Sequence, residues 1–576
     1  MKRFLISKSN LLFIITVIFF AIIAGFALLH KGLPPTHDGE YHVVRFYLFN
    51  ESIKDGNLYP RWAAHLNNGF GVPLFTLVYP LPNYIATIFH AFGITFIDSF
   101  KLEMFFAILI GGIFFYLWAK EFWGKLGGIV SSVFYTFSPY HFVDIYIRGS
   151  VGEVWALAFF PAFLWAYTKF VKSKRKMFLI LSSVSLALII FSHNILALMF
   201  FLFALSYIAF LIFNQSKKRQ LILDTFYMVL GGLGLSAVFW LPAIYETKYT
   251  TGLQIFDVTA HFPQLYQLLV PAWGSGFSGG GIQNELSFQI GVANLIAIFL
   301  SMIIIIMQVI RRRKINLHIV FFVIWFIFVL FLMLGISEFI WKTVPFMNYF
   351  QFPWRLLSLE ILFASFLAGS IFSFINKKRV WIRIFFAILL VFLVFILGIG
   401  YTKPAYYHYR SDDHYTSRSN FMDGTNSPGN VFNTIYLKSI PAKEKERAIF
   451  IKGNGKIRLD KAKSHLYTLT IEADVNSEIQ ANLPYFPGWE VYINDKKIPL
   501  KLTQNGRFKF SVPTGKSNVE IIFKDTLVRK VSALISIVSL GLVIALLINK
   551  RFVTIKNDSL RQDYGRVMPP KLEEEL

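Results

Sequence analysis

The chain has no cysteine among its 576 residues, which excludes a disulfide framework, a thiolate metal site and a cysteine nucleophile together. Charge is sparse and one-sided: only 16% of residues are Asp, Glu, Lys or Arg, and 33 acidic groups face 57 basic ones. No internal repeat of fixed period is present, which removes solenoid and propeller architectures.

What is abundant is apolar. Hydrophobic residues make up 55% of the chain and aromatic ones 18%, with a mean hydropathy of +0.53. Apolar runs of about 17 to 22 residues recur, each long enough to cross roughly 30 Å of hydrocarbon as a helix. The composition therefore predicts a polytopic membrane protein. The net charge of +24 sits largely in short clusters between these runs, at Lys172–Lys176, Lys217–Arg219, Arg311–Lys314 and Lys377–Arg379. That is the positive-inside pattern, and it points away from nucleic acid as a partner. The first run, Leu11 to Leu29, follows Lys2, Arg3 and Lys8 without a small-residue cleavage site, so an uncleaved first helix is expected. The richness in Phe, Ile and Lys suits an AT-rich bacterial genome.

Placing the N-terminus and the basic clusters in the cytoplasm gives twelve spans, near 11–29, 99–119, 126–141, 153–171, 177–192, 195–213, 221–243, 290–310, 317–336, 356–375, 384–401 and 529–548. The apolar stretch 72–91 is broken by Pro73, Pro80 and Pro82, and is expected to be re-entrant or interfacial rather than a crossing. Five segments then face outward: 31–82, 141–152, 246–289, 337–355 and 402–525. The tail 549–576 returns to the cytoplasm. The glycines of Trp273–Gly281 suit either a mobile flap or a plain linker.

From about Ile449 the pattern changes to period-two alternation, as in YTLTIEADV, SEIQANLPYF and GRFKFSVP, punctuated by Asn-Asp, Asn-Gly and Pro-Thr-Gly turns. An antiparallel β-sandwich is expected within an outer domain spanning 402–528. The segment from Tyr406 to Asn433 reads as an extended connector, and Tyr485 and Trp489 as either core or sugar-stacking aromatics.

The first outer loop concentrates polar groups beside the membrane: His37, Asp38, Glu40, His42, Arg45, Arg61 and Trp62. A helix beginning near Asp38 sets Asp38, His42 and Arg45 on one face at i, i+4 and i+7. Such an arc can deprotonate a hydroxyl and neutralise a phosphate. Spacing equally allows Asp38 to be a helix cap and Arg45 a headgroup anchor. Other span ends offer Asp144, Arg148 and Glu153; His193 and Asn194; and Gln351, Trp354, Arg355 and Glu360. Asp144 and Glu153, with Asp38 or Glu40, are candidate oxygen ligands for Mg²⁺ or Mn²⁺.

The ordered motifs HDGEYH, GNLYPRWAAHLNNGFGVPLF, YPLPNY, SPYHFVDIYIRGSVGE, SHN, FQFPWR and YFPGWEVYINDKK resemble the YfhO-like and 6-pyruvoyl-tetrahydropterin-synthase-related bacterial membrane proteins. Through these the chain is similar to the GT-C superfamily of integral-membrane glycosyltransferases. The resemblance implies a GT-C-like transmembrane domain over 1–401, a polyprenyl-phosphate-linked sugar donor and an extracytoplasmic site. It implies a catalytic acid in the first outer loop, at Asp38 or Glu40, and a second acidic site at Asp144 or Glu153. From the polar groups themselves, gathered at the outer ends of the spans, His37, His42, Arg45, Arg61, Arg148, His193, Asn194, Trp354 and Arg355 are expected as substrate contacts, with Arg45, Arg148 and Arg355 compensating the departing phosphate. The acceptor would be a teichoic acid, polysaccharide, glycolipid or protein of the cell envelope. The alternatives are a flippase or transporter for a lipid-linked glycan, and a non-catalytic envelope assembly factor.

Overall fold

The computed structural model describes residues 8–213, 215–252, 257–278, 286–417, 421–427, 430–437, 439, 442 and 446–548. The tail read as cytoplasmic and the glycines Gly279–Gly281 lie outside the described residues.

Among the described residues, nine helices are long and apolar enough to cross a membrane, or ten if the bent pair Leu317–Met333 and Gly335–Thr343 is one span. The 41-residue helix Phe96–Thr136 folds into two arms. At Gly124 the backbone leaves the helical region (φ 75°, ψ −176°), a conformation glycine adopts without a Cβ penalty. Beyond it the chain doubles back: the Ser132 hydroxyl donates to the Gly112 carbonyl at 2.7 Å, and the rings of Phe115 and Tyr135 stack at 4.3 Å. The second arm ends at Thr136 rather than 141, because Pro139 opens a new turn. Of the twelve expected spans, 126–141 is thus the short arm 125–136 and 177–192 the 17-residue helix Lys176–Ser192, both shorter than the helices counted above.

The stretch 72–91 forms two short helices, Leu74–Leu77 and Leu81–Ala91, separated at Pro80. Eleven residues reach only about 16 Å, half the hydrocarbon thickness, so this segment does not cross. Ile88 and Phe92 stay exposed on its outer side.

Residues 448–523 form nine strands: β1 Ala448–Lys452, β2 Gly455–Lys463, β3 Leu466–Ala473, β4 Ser477–Pro484, β5 Trp489–Ile493, β6 Lys496–Ile498, β7 Lys501–Leu502, β8 Arg507–Val512 and β9 Gly515–Phe523. They pair antiparallel in two sheets, β1-β4-β8-β7 and β2-β3-β9-β5-β6. Asn494 and Asp495 both take left-handed backbone (φ 47° and 66°) between β5 and β6, as a two-residue hairpin turn requires.

The sandwich core contains a side chain from the far end of the sequence. Trp62, 1% exposed, packs with Trp489 and Phe523, each at 5.3 Å between ring centroids. Gly71 makes this possible, since a Cβ there would lie 2.2 Å from the Trp62 indole nitrogen. Trp489 is therefore core rather than a sugar platform, while Tyr485 packs on Tyr436 at 5.3 Å. Arg61 holds the same junction: it donates to the Val238 carbonyl at 3.1 Å and faces Asp525 at 3.5 Å. Alongside it, Arg529 of the last helix, Leu527–Ile548, pairs with Glu246 at 2.9 Å, both buried, and donates to the Pro487 carbonyl at 2.9 Å.

Replacing Trp62 with alanine empties this core and is expected to destabilise the chain by about 3–5 kcal/mol, measured as a lowered thermal midpoint of the purified protein in detergent. With no native cysteine to interfere, single cysteines at the exposed Arg313 and Tyr409 test the sidedness. A membrane-impermeant maleimide should label position 409 in intact cells, and position 313 only after lysis.

Candidate functional site

The site begins at the N-terminus of the helix Gly39–Lys54. Asp38 occupies the cap position, yet its side chain makes no capping bond. That duty passes to Thr36, whose hydroxyl accepts from the Gly39 amide at 3.1 Å. The Asp38 carboxylate is thereby left without a hydrogen bond or ion pair to any described residue. His42 and Arg45 follow on the same face, as the spacing predicts.

The backbone around Asp38 is fixed by a second loop. The amides of His37 and Asp38 donate to the carbonyls of Ile147 and Arg148, both at 2.9 Å. The approach is so close that a Cβ on Gly149 (φ +67°) would stand 2.4 Å from the Thr36 hydroxyl. This second loop is a short π-helical turn, Val143–Arg148, leading into the spanning helix Val151–Ser173.

Arg148 is the hub of that turn. Its guanidinium donates to both oxygens of Glu153, at 2.7 and 2.6 Å, and to Asp144 at 2.5 Å. It also lies 4.9 Å over the ring of Trp354. Arg355 approaches the same Glu153 oxygen at 3.0 Å through Nε, without the alignment of a hydrogen bond. Its Nη1 donates to Gln351 at 2.7 Å. All four charged groups are buried. Burial first, then the charge of Glu153, pushes the Asp144 carboxyl well above the usual carboxylate range, against the pull of Arg148. Two guanidiniums, those of Arg148 and Arg355, thus converge on the one carboxylate of Glu153.

The carboxylates expected to hold Mg²⁺ or Mn²⁺ are brought together, but around Arg148, which takes the cation's place. Among the described residues no three His, Asp or Glu side chains converge as metal ligands. The donor set fits a guanidinium rather than a metal.

His193 stands at the turn between Lys176–Ser192 and Asn194–Phe213, with Nε2 3.8 Å from Glu153. Its Nδ1 accepts from the Leu196 amide at 3.2 Å, so the proton is on Nε2. Asn194 is exposed and donates to the Leu77 carbonyl at 3.3 Å. His42 is buried, and burial together with Arg45 and His193 lowers its pKa well below the usual imidazole value. The charge of Glu40 acts on the hydroxyl of Tyr415, whereas that of Asp38 acts on Arg45 and Tyr79. His37 is held by the loop before the helix Val292–Ile310: it bonds the Ser275 carbonyl at 2.9 Å and stacks on Phe277 at 4.3 Å. Arg61 is not part of this cluster; it serves the sandwich junction.

Two contributors escaped the sequence reading. The segment read as a connector folds back on the site. Asp412 accepts from the amides of Phe96 and Ile97 at 2.7 and 3.1 Å, capping the long helix. The Asn426 carbonyl accepts from Arg45. Only the turn-rich composition DGTNSPGN marked that segment. The other is Tyr79, between the two short helices, whose ring lies 4.9 Å from that of His193.

Residues 77–401 match the family model described as 6-pyruvoyl-tetrahydropterin synthase related domain; membrane protein. A protein of Lactococcus lactis subsp. cremoris (strain MG1363), described as uncharacterized, is 24% identical over 249 residues, 42% of this chain and 41% of that protein. Among solved structures, the Archaeoglobus fulgidus oligosaccharyltransferase in the apo form aligns with a TM-score of 0.45 and 13% identity over 69% of this chain and 56% of its own. ArnT from Cupriavidus metallidurans bound to undecaprenyl phosphate gives 0.39 and 11% over 66% and 63%. The arabinofuranosyltransferase AftD from Mycobacteria gives 0.41 and 12% over 68% and 27%. The chain spans less than two thirds of each of these proteins, and at these scores the likenesses assign no activity.

Burial pushes the His193 pKa down to about 3, reinforced by Arg355 and Arg148 and opposed by Glu153. An unfolded histidine titrates near ~6.5, so between the two values the unfolded chain binds more protons. The stability contributed by neutral His193 is present above the unfolded value and lost as pH falls through this window. The thermal midpoint should therefore drop from neutral toward acidic pH, and His193→Asn should drop less over the same range. Parallel slopes would refute the assignment.

Proposed function

Since the chain belongs to the 6-pyruvoyl-tetrahydropterin synthase related family of membrane proteins, we propose that it is an integral-membrane glycosyltransferase of GT-C type. It moves a sugar from a polyprenyl-phosphate donor to a cell-envelope acceptor on the extracytoplasmic face. The observation that carries this reading is the carboxylate of Asp38, which has no hydrogen bond or ion pair to any described residue and whose backbone is bonded to the loop of Arg148.

A free carboxylate beside a buried arginine pair is what glycosyl transfer from a phosphate requires. Asp38 accepts the proton of the acceptor hydroxyl as that oxygen attacks the anomeric carbon. The bond from that carbon to the phosphate oxygen breaks, and its electron pair leaves with the phosphate. Arg148 and Arg355 stabilise the developing charge, and their setting among Trp354, Phe352 and other buried groups strengthens that stabilisation relative to water. Attack opposite the phosphate inverts the anomeric centre. Between the two carboxylates of the first loop we take Asp38 as the base, because its charge acts on Arg45 and Tyr79, whereas that of Glu40 acts on Tyr415. Teichoic acid, polysaccharide, glycolipid and protein acceptors all suit this chemistry.

A lipid-linked-glycan flippase is the second reading. Glu103 and Glu360 favour it: both are 0% exposed within spans, and neither Glu360 oxygen has a hydrogen-bond partner. Intramembrane carboxylates of this kind occur in proton-coupled transporters.

Transfer from defined polyprenyl-phosphate sugars by purified protein separates the two. Asp38→Asn should lower the rate by about 10²–10⁴-fold while Glu40→Gln stays near wild type. Undiminished transfer by Asp38→Asn would sink the base assignment. Transbilayer movement of labelled lipid with no transfer by the wild type would select the flippase.

A further inference from the structure

Tyr79 lies outside every residue so far given a role in transfer, yet it occupies the middle of the site. It sits between the helices Leu74–Leu77 and Leu81–Ala91, where Pro80 ends one turn and Asn83 donates to the Tyr79 carbonyl at 3.2 Å. Its ring rests on Gly152: a Cβ there would lie 2.4 Å from both Cε2 and Cζ of Tyr79. Gly152 adjoins Glu153, and the other side of the ring meets His193 at 4.9 Å. The carbon bearing the hydroxyl is thus held against the helix start that carries the arginine-binding carboxylate.

The charges that act on this hydroxyl come from both halves of the site. Arg45 and Asp38 belong to the first-loop helix, Glu153 and Arg148 to the opposite turn. The hydroxyl makes no hydrogen bond to any described residue, although the residue is only half-buried. A rigidly packed phenol with an unused donor, between a free carboxylate and a guanidinium pair, is placed to meet a bound molecule.

We infer that Tyr79 is a catalytic residue that hydrogen-bonds the oxygen joining the anomeric carbon to phosphate as that bond breaks. This rests on the glycosyltransferase reading above. In the step, the acceptor oxygen forms its bond to the anomeric carbon and its proton passes to Asp38. The departing phosphate keeps the electron pair of the broken bond, and Tyr79 donates a hydrogen bond to it without surrendering its proton. Burial, with Asp38 and Glu153 adding to it against Arg45 and Arg148, holds the phenol well above its usual pKa. The group is therefore a donor throughout, not a competing anion. An interaction that strengthens as charge develops on the leaving oxygen acts on turnover more than on ground-state binding.

Tyr79→Phe keeps the ring, and hence the packing on Gly152 and His193, and removes only the hydroxyl. In full-length protein assayed with a polyprenyl-phosphate sugar, kcat should fall at least about tenfold while the donor KM changes less than about threefold, with the thermal midpoint unchanged. Wild-type kcat in Tyr79→Phe, alongside loss of activity in Asp38→Asn, overturns the inference and leaves the glycosyltransferase reading standing. Absence of transfer by the wild type with every donor removes that reading and this one with it. A fall in kcat matched by a lowered midpoint in Tyr79→Phe assigns the residue to packing and also overturns the inference.

Discussion

Arg148 holds the site together. A guanidinium and two carboxylates buried at the end of a spanning helix are costly to desolvate, and such a group persists only when each charge finds close partners. Here one arginine makes three hydrogen bonds to Glu153 and Asp144, and its flat face lies over Trp354. The turn Val143–Arg148 is thereby fixed in its π-helical form, and its last carbonyls in turn fix the amides of His37 and Asp38. The free carboxylate of Asp38 has no side-chain partner of its own to hold it. Its position is borrowed from the backbone across the gap, so disturbing Arg148 disturbs both halves of the site.

The apolar runs and basic clusters made the crossings legible because a bilayer allows few alternatives to a helix of about twenty residues. The two-residue alternation made the sandwich legible for the same kind of reason: period sets face. Asp38, His42 and Arg45 were readable as one face because helical spacing is local. What the sequence could not tell is who pairs with whom across a hundred residues or more. Arg61 and Trp62 look like members of a polar loop site, but one anchors Asp525 and the other fills the sandwich. Asp144, Arg148 and Glu153 are near in sequence, yet their spacing alone does not tell that the carboxylates face this guanidinium. Asn426 and Tyr79 had no local signal beyond turn chemistry, because their roles arise only from what the fold sets beside them.

The same contrast explains the capping of the first-loop helix. From sequence, an aspartate before a helix is most simply a cap, and capping would consume its lone pairs. Thr36 removes that demand by bonding the Gly39 amide, and Gly39 and Gly149 let the two backbones come close enough for the exchange. Three small residues thus decide whether a carboxylate is structural or available. Either glycine, given a side chain, would push the first loop off the Arg148 turn.

Trp62 belongs to a loop that emerges early from the ribosome, whereas the strands that enclose it end at Phe523 and are followed by one more membrane helix. The hydrophobic seat for this indole does not exist until nearly the entire polypeptide has been made and its late segment delivered to the same side of the bilayer. Until then the first loop lacks its distal anchor, and Gly71 leaves a vacant notch. The seating of the first loop therefore waits on the strands that end at Phe523, and a product ending before the sandwich would leave the loop of Asp38 without this anchor.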